Sequence, residues 1–463
     1  MTRIAPLTLV ALLIVALQPD ATLAHPAHSF SEVALSGPSG LTSEAIAPGG
    51  CGWDAAWAVA WASGAASPPV IEADYESTLA VDPKDSKKMT AVWLQDDGLL
   101  VGSATSLDGG KSWNRGPLPG ITTCSGGVHR TTYDARVAIG PTGIGSSRAY
   151  AIATSQNQPF PDPRAGVSYV SVTTMELEQG RWDNSVVVDA TASIDWPVIA
   201  ADSNNPDTAY AMWSKRLDAT FFSATHDGGT TWSTPTPVRI TTPGHLALNE
   251  IVVSSNGTLL NIYQESPLAA VVDPSIRSTL FLSRSVDGGL TWTDGERITT
   301  DSHSTSFSLV ESPAGLFAAW TRATSDGGGE VVIARQQTGE WEELQAFASA
   351  SNPELGVMSD GTIGVAYYET AIEPSSMRAV TRVIAAHSHD NGVEWETTDI
   401  SGTTDSASVF VGDHGSIEAT QCGFASTWTT GPEASEHGRS DIFFATLGIA
   451  GVPQGPCRAA PNS

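Results

Sequence analysis

The feature that most constrains how this chain can fold is an eight-residue pattern, Ser/Thr-x-Asp-x-Gly-x-x-Trp, which occurs four times. The copies begin at Ser106, Thr225, Ser285 and Ser388. In the copy Ser285–Trp292, glycine permits the positive φ of a tight turn, and the Asp287 carboxylate can accept hydrogen bonds from nearby backbone N–H groups. An apolar run, Thr279–Ser283, precedes the turn, and Thr291 with Trp292 suits a returning strand. The pattern therefore predicts a β-hairpin whose turn is held by its own aspartate.

A second repeat is independent of the first. Seven segments share a short apolar strand, a turn, and a second strand rich in Ala, Tyr and Trp. They are Tyr75–Trp93, Tyr133–Ala153, Asp195–Trp213, Leu248–Gln264, Ser306–Trp320, Asn352–Glu369 and Asp413–Trp428. Their spacing of roughly 45–60 residues is typical of a propeller or a solenoid. Two units keep only a remnant of the eight-residue pattern, Gly180-Arg181-Trp182 and Gly339-Glu340-Trp341. Each unit is therefore predicted to hold four strands.

The eight-residue pattern is similar to the Asp-box, or bacterial neuraminidase repeat, of sialidases and related β-propellers. The resemblance implies an all-β propeller of four-stranded antiparallel blades, with the Asp-box hairpins on the outer rim in a structural role. We expect seven blades, and a six-bladed ring with an irregular end is the alternative. The seventh unit has a third strand, Asp441–Leu447, but no Asp-box. A strand around Phe30–Leu35 is predicted to complete it and to close the ring.

The ends of the chain define further segments. Met1–Ala24 has a basic residue, an apolar core and a small-residue cleavage site, so it is predicted to be a secretory signal peptide. The protein is accordingly expected to be secreted. Residues 25–73 are assigned to an N-terminal segment, in which His25–Pro69, rich in Ala, Gly, Ser and Pro, is predicted to be extended and partly ordered. The propeller is assigned to residues 74–450 and a C-terminal tail to residues 451–463.

Four cysteines occur in the chain, and in an exported protein they are expected to form disulfides with three possible pairings. The pairing Cys51–Cys124 with Cys422–Cys457 is favoured, because each bond would staple one end of the chain. The spacing of the cysteines fits no metal site. We expect no metal and no cofactor.

The charge balance limits the partners that the protein can have. The formal net charge is −27, with 50 acidic and 23 basic residues. This balance disfavours binding to nucleic acid and to anionic membrane surfaces. An acidic sugar would need local arginines. The predicted partner is a glycan or polysaccharide, and the protein is expected to be a monomer.

The active site of a propeller is expected at the mouth of its central channel, where loops enter the inner strands. Polar and aromatic candidates at these entrances are Tyr75, Glu76, His129, Arg130, Tyr133, Asp195, Trp196, Asn249, Glu250, Asn352, Asp413 and His414. The resemblance to sialidases implies a glutamate base, a tyrosine nucleophile and arginines that bind the substrate carboxylate. It assigns the base to Glu250, points to Tyr368 near the nucleophile position, and places Arg277 near a substrate-binding arginine.

The sialidase set is incomplete in this sequence. Gln264 occupies a position expected for arginine, and Asn352 the position expected for the tyrosine nucleophile. No Arg-Ile-Pro or Arg-Leu-Pro motif is present. Neither glutamine nor asparagine can replace the expected group chemically.

A different chemistry also fits the residue types. His129 and Arg130, followed by Tyr133, could supply the base and the cation of a lyase that cleaves uronic-acid polysaccharides. The predicted catalytic residues are thus Glu250, Tyr368 and His129, and the predicted substrate-binding residues are Arg130, Arg277, Tyr133 and Asp413. Three functions compete: a sialidase-like glycosidase, a non-catalytic glycan- or protein-binding scaffold, and a polysaccharide lyase.

Overall fold

The fold is described from a computed structural model, in which the chain is almost entirely β-strand. The described residues are 30–53, 55–64, 69–157, 167–215, 219–240, 245–267, 276–325, 328–372, 377–401, 404–405, 412, 414–431, 435 and 438–449. The predicted signal peptide, the C-terminal tail, Asp413 and Cys457 lie outside these ranges. None of the helices in the described ranges has the length and apolar character needed to cross a membrane.

The strands form four-stranded antiparallel arrays, numbered here in chain order. Array 1 contains β2 (Tyr75–Val81), β3 (Met89–Gln95), β4 (Leu100–Ser106) and β5 (Asn114–Pro117). Array 2 contains β6 (Thr131–Pro141), β7 (Ser147–Gln156), β8 (Val167–Glu176) and β9 (Val186–Ala192). Array 3 contains β10 (Ile194–Ala201), β11 (Ala209–Lys215), β12 (Ala219–Thr225) and β13 (Thr236–Ile240).

The later arrays share one strand. Array 4 contains β14 (His245–Val253), β15 (Leu259–Pro267), β16 (Ser278–Ser285) and the first part of β17 (Glu296–Ser312). Array 5 contains the last part of β17, β18 (Gly315–Ala323), β19 (Gly329–Gln337) and β20 (Glu340–Ala348). Array 6 contains β21 (Ala350–Val357), β22 (Ile363–Ile372), β23 (Ala379–Ser388) and β24 (Glu396–Asp399), with β25 (Thr404–Asp405) beside β23. Array 7 contains β26 (Ser416–Thr420), β27 (Gly423–Thr430), β28 (Asp441–Gly448) and β1 (Phe30–Ala34).

The described arrays lie in six hydrogen-bonded sheets, because β17 runs from array 4 into array 5 and joins them. Its residues Glu296 to Ser302 pair with β16, and Ser302 to Ser312 pair with β18. The number of blades thus depends on whether this seven-stranded sheet counts as one blade or two. The seven-bladed count stays a prediction, whereas the β-propeller architecture itself is confirmed.

The N-terminal strand completes array 7. Phe30 pairs with Leu447 and Ala34 with Phe443, so β1 is antiparallel to β28. The strand predicted around Phe30–Leu35 therefore occupies the predicted place, and it covers the edge that β28 would otherwise expose.

The prediction of an extended segment before the propeller is wrong for part of its length. Ala55–Ala62 forms a helix, α1, and Ser43–Ile46 forms one turn of 3-10 helix. Alanine is the strongest helix former, and five of the eight α1 residues are alanine. The predicted disulfide Cys51–Cys124 is confirmed and ties this segment to array 2's entrance loop. Cys422 is also a disulfide cysteine, and its predicted partner Cys457 is outside the described residues.

The first strands of the arrays surround a channel. Each first strand contacts the first strand of the next array, in the order β2, β6, β10, β14, β17, β21 and β26. Strand β26 in turn contacts β2. The apolar core lies between neighbouring arrays, where residues such as Trp213, Trp320 and Trp428 are almost fully buried. The side chains that face the channel therefore come from every array in turn.

The four copies of the eight-residue pattern, called Asp turns below, share one hydrogen-bond geometry. In the turn Ser285–Trp292, Thr291 N donates to Asp287 Oδ1 at 2.9 Å and Gly289 N donates to Ser285 Oγ at 2.9 Å. The Trp292 ring packs against Phe222 of the preceding array with 5.9 Å between ring centroids. The turn thus stabilises the junction between two arrays, at the rim and away from the channel.

Candidate functional site

A cavity of about 380 Å³ occupies the channel and is lined by the first strands of all the arrays. Most of its wall is aliphatic, from residues such as Leu79, Ile139 and Val198. Four charged side chains lie in the same wall: Arg136, Glu250, Glu354 and Glu418. Of these four described residues, Arg136 has a permanent positive charge and the other three are carboxylic acids. The volume is within the range of about 300–1,000 Å³ that is usual for small-molecule sites.

Repeated β-bulges decide which residues reach this wall. The pairing register shifts near the start of four first strands, between Tyr75 and Thr78, Tyr133 and Arg136, Asp195 and Val198, and Ser351 and Glu354. Inside each bulge one residue has positive φ: Glu76 at 57°, Asp134 at 50°, Trp196 at 55° and Asn352 at 53°. A bulge of this kind bends the strand and re-aims the following side chains. Arg136 and Glu354 each follow such a residue by two positions, and both face the cavity.

Such positive φ values have a cost. A non-glycine residue in this region costs on the order of 1–3 kcal/mol, and such residues cluster at functional sites. Four of them at one end of the channel mark this end, called the mouth below, as a strained region. The strain is offset locally by hydrogen bonds: Asn352 Nδ2 donates to Gly412 O at 3.1 Å.

The glutamates of the wall have raised pKa values. Burial raises the pKa of Glu250, and the negative charge of Glu354 raises it further, while Arg136 opposes both effects. Burial also raises the pKa of Glu354, but Arg136 and a hydrogen bond from the Ser308 side chain favour its ionised form. Burial, with the charge of Glu354, raises the pKa of Glu418 to about 8. Glu354, with a pKa raised to about 7, and Glu418 can therefore gain and lose protons near neutral pH.

Two more carboxyl groups meet at the mouth. Trp196 N donates to Asp195 Oδ1 at 3.0 Å and lies 3.3 Å from Asp134 Oδ2, so both carboxyl groups share one backbone donor. Burial raises the pKa of Asp195, and the neighbouring Asp134 raises it further. Burial and this acidic neighbour therefore favour the protonated form of Asp195.

His414 is a deeply buried titratable group near the mouth, with 2% of its surface exposed. Neither of its ring nitrogens has a hydrogen-bond partner. Burial and the charge of Arg136 both lower its pKa. The ring is therefore neutral, and it contributes no positive charge to the channel.

The structure separates the predicted catalytic residues. Glu250 lies in the cavity wall. The Tyr368 side chain packs in the apolar core, its hydroxyl accepts a hydrogen bond from Thr429 N at 3.2 Å, and burial raises its pKa to about 12. His129 is buried outside the wall and stacks on Tyr169 with 3.9 Å between centroids. Burial lowers the pKa of His129.

Of the predicted substrate-binding residues, the three that the structure describes do not line the cavity. Arg130 Nη1 donates to Cys51 O at 3.1 Å, beside the disulfide. Arg277 Nη2 donates to Ala323 O at 3.4 Å. Tyr133 donates its hydroxyl proton toward Ile194 O at 2.7 Å, and burial raises its pKa. Asp413 is outside the described residues.

Sequence reasoning missed Arg136, Glu354, Glu418 and Asp134. The first three lie inside predicted first strands. Regular alternation of side chains along a strand, without a bulge, gives no reason to select them as site residues. Polar residues at Arg136, Glu354 and Glu418 within otherwise apolar strand patterns were an available signal. No cluster of three or more His, Cys, Asp or Glu placed to bind a metal ion occurs within the described ranges.

Comparison with known proteins gives weak similarities only. No family model and no curated protein matches the sequence. Among solved structures, the Hadza microbial sialidase Hz136 is 14% identical, with a TM-score of 0.45, over 78% of this chain and 73% of that one. The Fusarium graminearum α-L-arabinofuranosidase Arb93A is 12% identical, with a TM-score of 0.47, over 68% and 92%. The Trypanosoma rangeli sialidase is 12% identical, with a TM-score of 0.44, over 82% and 54%. Similarity at this level transfers no activity, substrate or residue role.

Proposed function

We propose that this protein is a secreted glycoside hydrolase that cleaves a carbohydrate in the channel cavity. One observation carries the proposal: two glutamates with raised pKa values, Glu250 and Glu354, line one cavity together with a single arginine, Arg136. Glycosidases usually use two carboxyl groups, one protonated and one ionised, whose different environments favour these two states.

The environments of the two glutamates assign their roles. Glu354 ionises first, because Arg136 and the Ser308 hydroxyl stabilise its carboxylate. Its negative charge then holds the proton on Glu250. Glu250 is therefore the general acid that protonates the leaving oxygen, and Glu354 is the carboxylate that attacks the sugar or activates water. Arg136 keeps Glu354 ionised and can also bind an acidic group of the substrate.

The cavity wall fits a sugar in size and character. Aliphatic residues from β2, β6 and β10 offer apolar surface to the faces of a sugar ring, and the charged groups and Ser308 offer hydrogen bonds to its hydroxyls. A sialic acid or a uronic acid would place its carboxylate against Arg136. The glycan partner and the monomeric state belong to this proposal, as does export through the predicted signal peptide.

The test is a panel of fluorogenic glycosides of sialic acid, uronic acids and neutral sugars, followed by natural polysaccharides. The wild-type protein should release a sugar with an ordinary reducing end. Glu250→Gln and Glu354→Gln should each lose turnover while keeping the wild-type melting temperature. The matched control is Glu340→Gln, which changes an exposed glutamate on β20 and should keep full activity.

Two other outcomes would replace the proposal. Saturable glycan binding without turnover, in the wild type and in both glutamine variants, would make the protein a binding scaffold. A product that absorbs in the ultraviolet would show β-elimination, and loss of that product in His129→Ala but not in Glu250→Gln would favour the lyase.

A further inference from the structure

A second concave site lies at the rim, between arrays 1 and 2. It is a groove of about 400 Å³ on the outer strand β5 and on the Gly180-Arg181-Trp182 segment that joins β8 to β9. Its principal side chains are Asn114, Arg115, Met175, Arg181, Trp182 and Asn184. It shares no lining residue with the channel cavity. The groove is therefore separate from the proposed catalytic site.

The charge of this groove is unusual for the protein. The chain has a net charge of −27, yet the groove is lined by two arginines and by no acidic residue. Arg115 Nη2 donates to Ala34 O at 2.7 Å, and neither Arg115 nor Arg181 forms an ion pair with a described carboxylate. Two other arginines at the rim are neutralised: Arg148 pairs with Asp207 at 2.9 Å, and Arg284 with Glu296 at 2.8 Å.

The floor of the groove is held in a fixed geometry. Trp182 Nε1 donates to Ser103 Oγ at 3.0 Å, which orients the indole ring across the junction between the two arrays. Asn114 Nδ2 donates to Gly180 O at 3.0 Å and ties β5 to the opposite wall. An oriented indole, two guanidinium groups and side-chain amides are the groups that bind sugar rings bearing acidic substituents.

The other remnant of the repeated pattern provides an internal comparison. At Gly339-Glu340-Trp341, Trp341 Nε1 donates to Glu296 Oε1 at 3.2 Å, and Glu296 is paired with Arg284. Glu340 stands where Arg181 stands in the first remnant. The two junctions share the tryptophan and differ in charge: two arginines line the first, whereas Glu296 and Glu340 lie at the second.

We propose that the groove between arrays 1 and 2 binds an acidic oligosaccharide and holds a polymeric glycan on the protein at a distance from the channel. The ligand class follows from the two cations, the indole and the amides. A sugar is favoured over nucleic acid because two arginines cannot offset the repulsion between a strongly acidic protein and a dense polyanion. The acidic group can be a carboxylate or a sulfate.

The experiment is calorimetric titration with α-1,4-linked trigalacturonate, with its methyl ester, and with inorganic sulfate. The double variant Arg115→Gln/Arg181→Gln should weaken trigalacturonate binding by about tenfold or more, the effect of losing charge-assisted hydrogen bonds. The methyl ester should bind weakly to both proteins. Tighter binding of inorganic sulfate than of trigalacturonate would mean that the groove is a simple anion site, and it would overturn the oligosaccharide assignment.

The matched control is Arg297→Gln, which removes an exposed arginine from the fourth strand of array 4, beside the second remnant. It should bind trigalacturonate like the wild type. Trp182→Phe keeps an aromatic ring at the junction and should weaken the acidic and the esterified sugar by a similar, smaller factor. Wild-type affinity in the double arginine variant, with an unchanged melting temperature, would overturn the proposal. Equal losses for the acid and its ester in that variant would overturn it as well.

Discussion

Carboxyl groups at the rim and in the channel of this propeller respond to their surroundings in opposite ways. At the rim, hydrogen bonds from the Thr291 side chain and backbone lower the pKa of Asp287 to about 2. In the channel, burial and the charge of Glu354 raise the pKa of Glu418 to about 8. The rim aspartate is surrounded by donors and water, whereas the channel glutamate has lost its water and has an acidic neighbour.

This difference separates structural from chemical roles. An aspartate held ionised by its own turn cannot exchange a proton near neutral pH, and its bonds serve only to fix the hairpin. A carboxyl group whose pKa is raised into the neutral range can act as an acid or a base there. All four Asp turns belong to the first kind, and the glutamates of the cavity wall belong to the second.

The largest expected effect concerns the two glutamates proposed to be catalytic. Glu250→Gln and Glu354→Gln should each lower kcat by roughly 10²–10⁴-fold, the usual contribution of general acid–base catalysis. The wild-type pH profile should be bell-shaped, because turnover needs Glu354 ionised and Glu250 protonated. The same substitution at an exposed rim glutamate, Glu394→Gln, should leave kcat and its pH profile unchanged. Loss of turnover in a folded rim variant would contradict the distinction between structural carboxyl groups at the rim and chemically active ones in the channel.

The next effect tests the junction packing of an Asp turn. Gly289 has a φ of 91°, and a Cβ there would lie 2.2 Å from the Phe222 ring. Gly288 has a φ of 72°, and a Cβ there would meet nothing within 4 Å. Gly288→Ala should cost about 1–2 kcal/mol of unfolding free energy from backbone strain alone. Gly289→Ala should cost about 1–3 kcal/mol more, because the ring must move. Equal costs in denaturant titrations would show that the turn does not support its neighbour.

The third expected effect is a pH-dependent contribution of Glu418 to the free energy of unfolding, which follows from its raised pKa. The folded pKa of Glu418, about 8, is above its ordinary value of 4.5, so the folded state holds the proton more tightly. Glu418 therefore reduces stability progressively as the pH rises from about 4.5 to 8. Glu418→Gln should remove this loss and raise stability at pH 8 by on the order of 1–3 kcal/mol, with little change at pH 4.5. The measurement is the unfolding free energy of both proteins at the two pH values.

The fold could be predicted from the sequence because its signals are local. The eight residues of an Asp turn supply their own hydrogen-bond partners. Asp287, Gly289 and Trp292 are therefore enough to predict the hairpin, whatever the rest of the chain. The strand that completes array 7 was also predictable, since that array lacked a fourth strand and the segment near Phe30 was available. Helix α1 was missed because a segment rich in Ala, Gly, Ser and Pro was treated as uniform, although its alanines are concentrated at Ala55–Ala62.

The site was harder to predict because its residues are selected by bulges. Positive φ at Asp134 and Asn352 shifts the register, so the side chains that reach the cavity are Arg136 and Glu354 and not the entrance residues. No short pattern in the sequence records that shift. Glu250, selected from sequence as an entrance residue, does line the cavity, and β14 has no register shift in its pairing with β15. Its catalytic role stays a prediction. The arginines chosen from sequence, Arg130 and Arg277, lie in loops whose contacts are set by distant segments.

The smallest expected effect tests the rim at acid pH. Hydrogen bonds from the Ser112 side chain and backbone lower the pKa of Asp108 from 3.8 to about 2. A lowered folded pKa contributes stability above the unfolded value, and this contribution is lost as the pH falls from about 4 to 2. Since the carboxylate is close to water, the contribution should be below about 1 kcal/mol. Asp108→Asn should therefore be slightly less stable than the wild type at pH 6 and should lose less stability between pH 4 and 2. This is the reverse of the Glu418→Gln result, in which the difference grows as the pH rises from about 4.5 to 8. Identical pH dependences for the two variants would mean that rim and channel carboxyl groups do not differ in the way that their surroundings require.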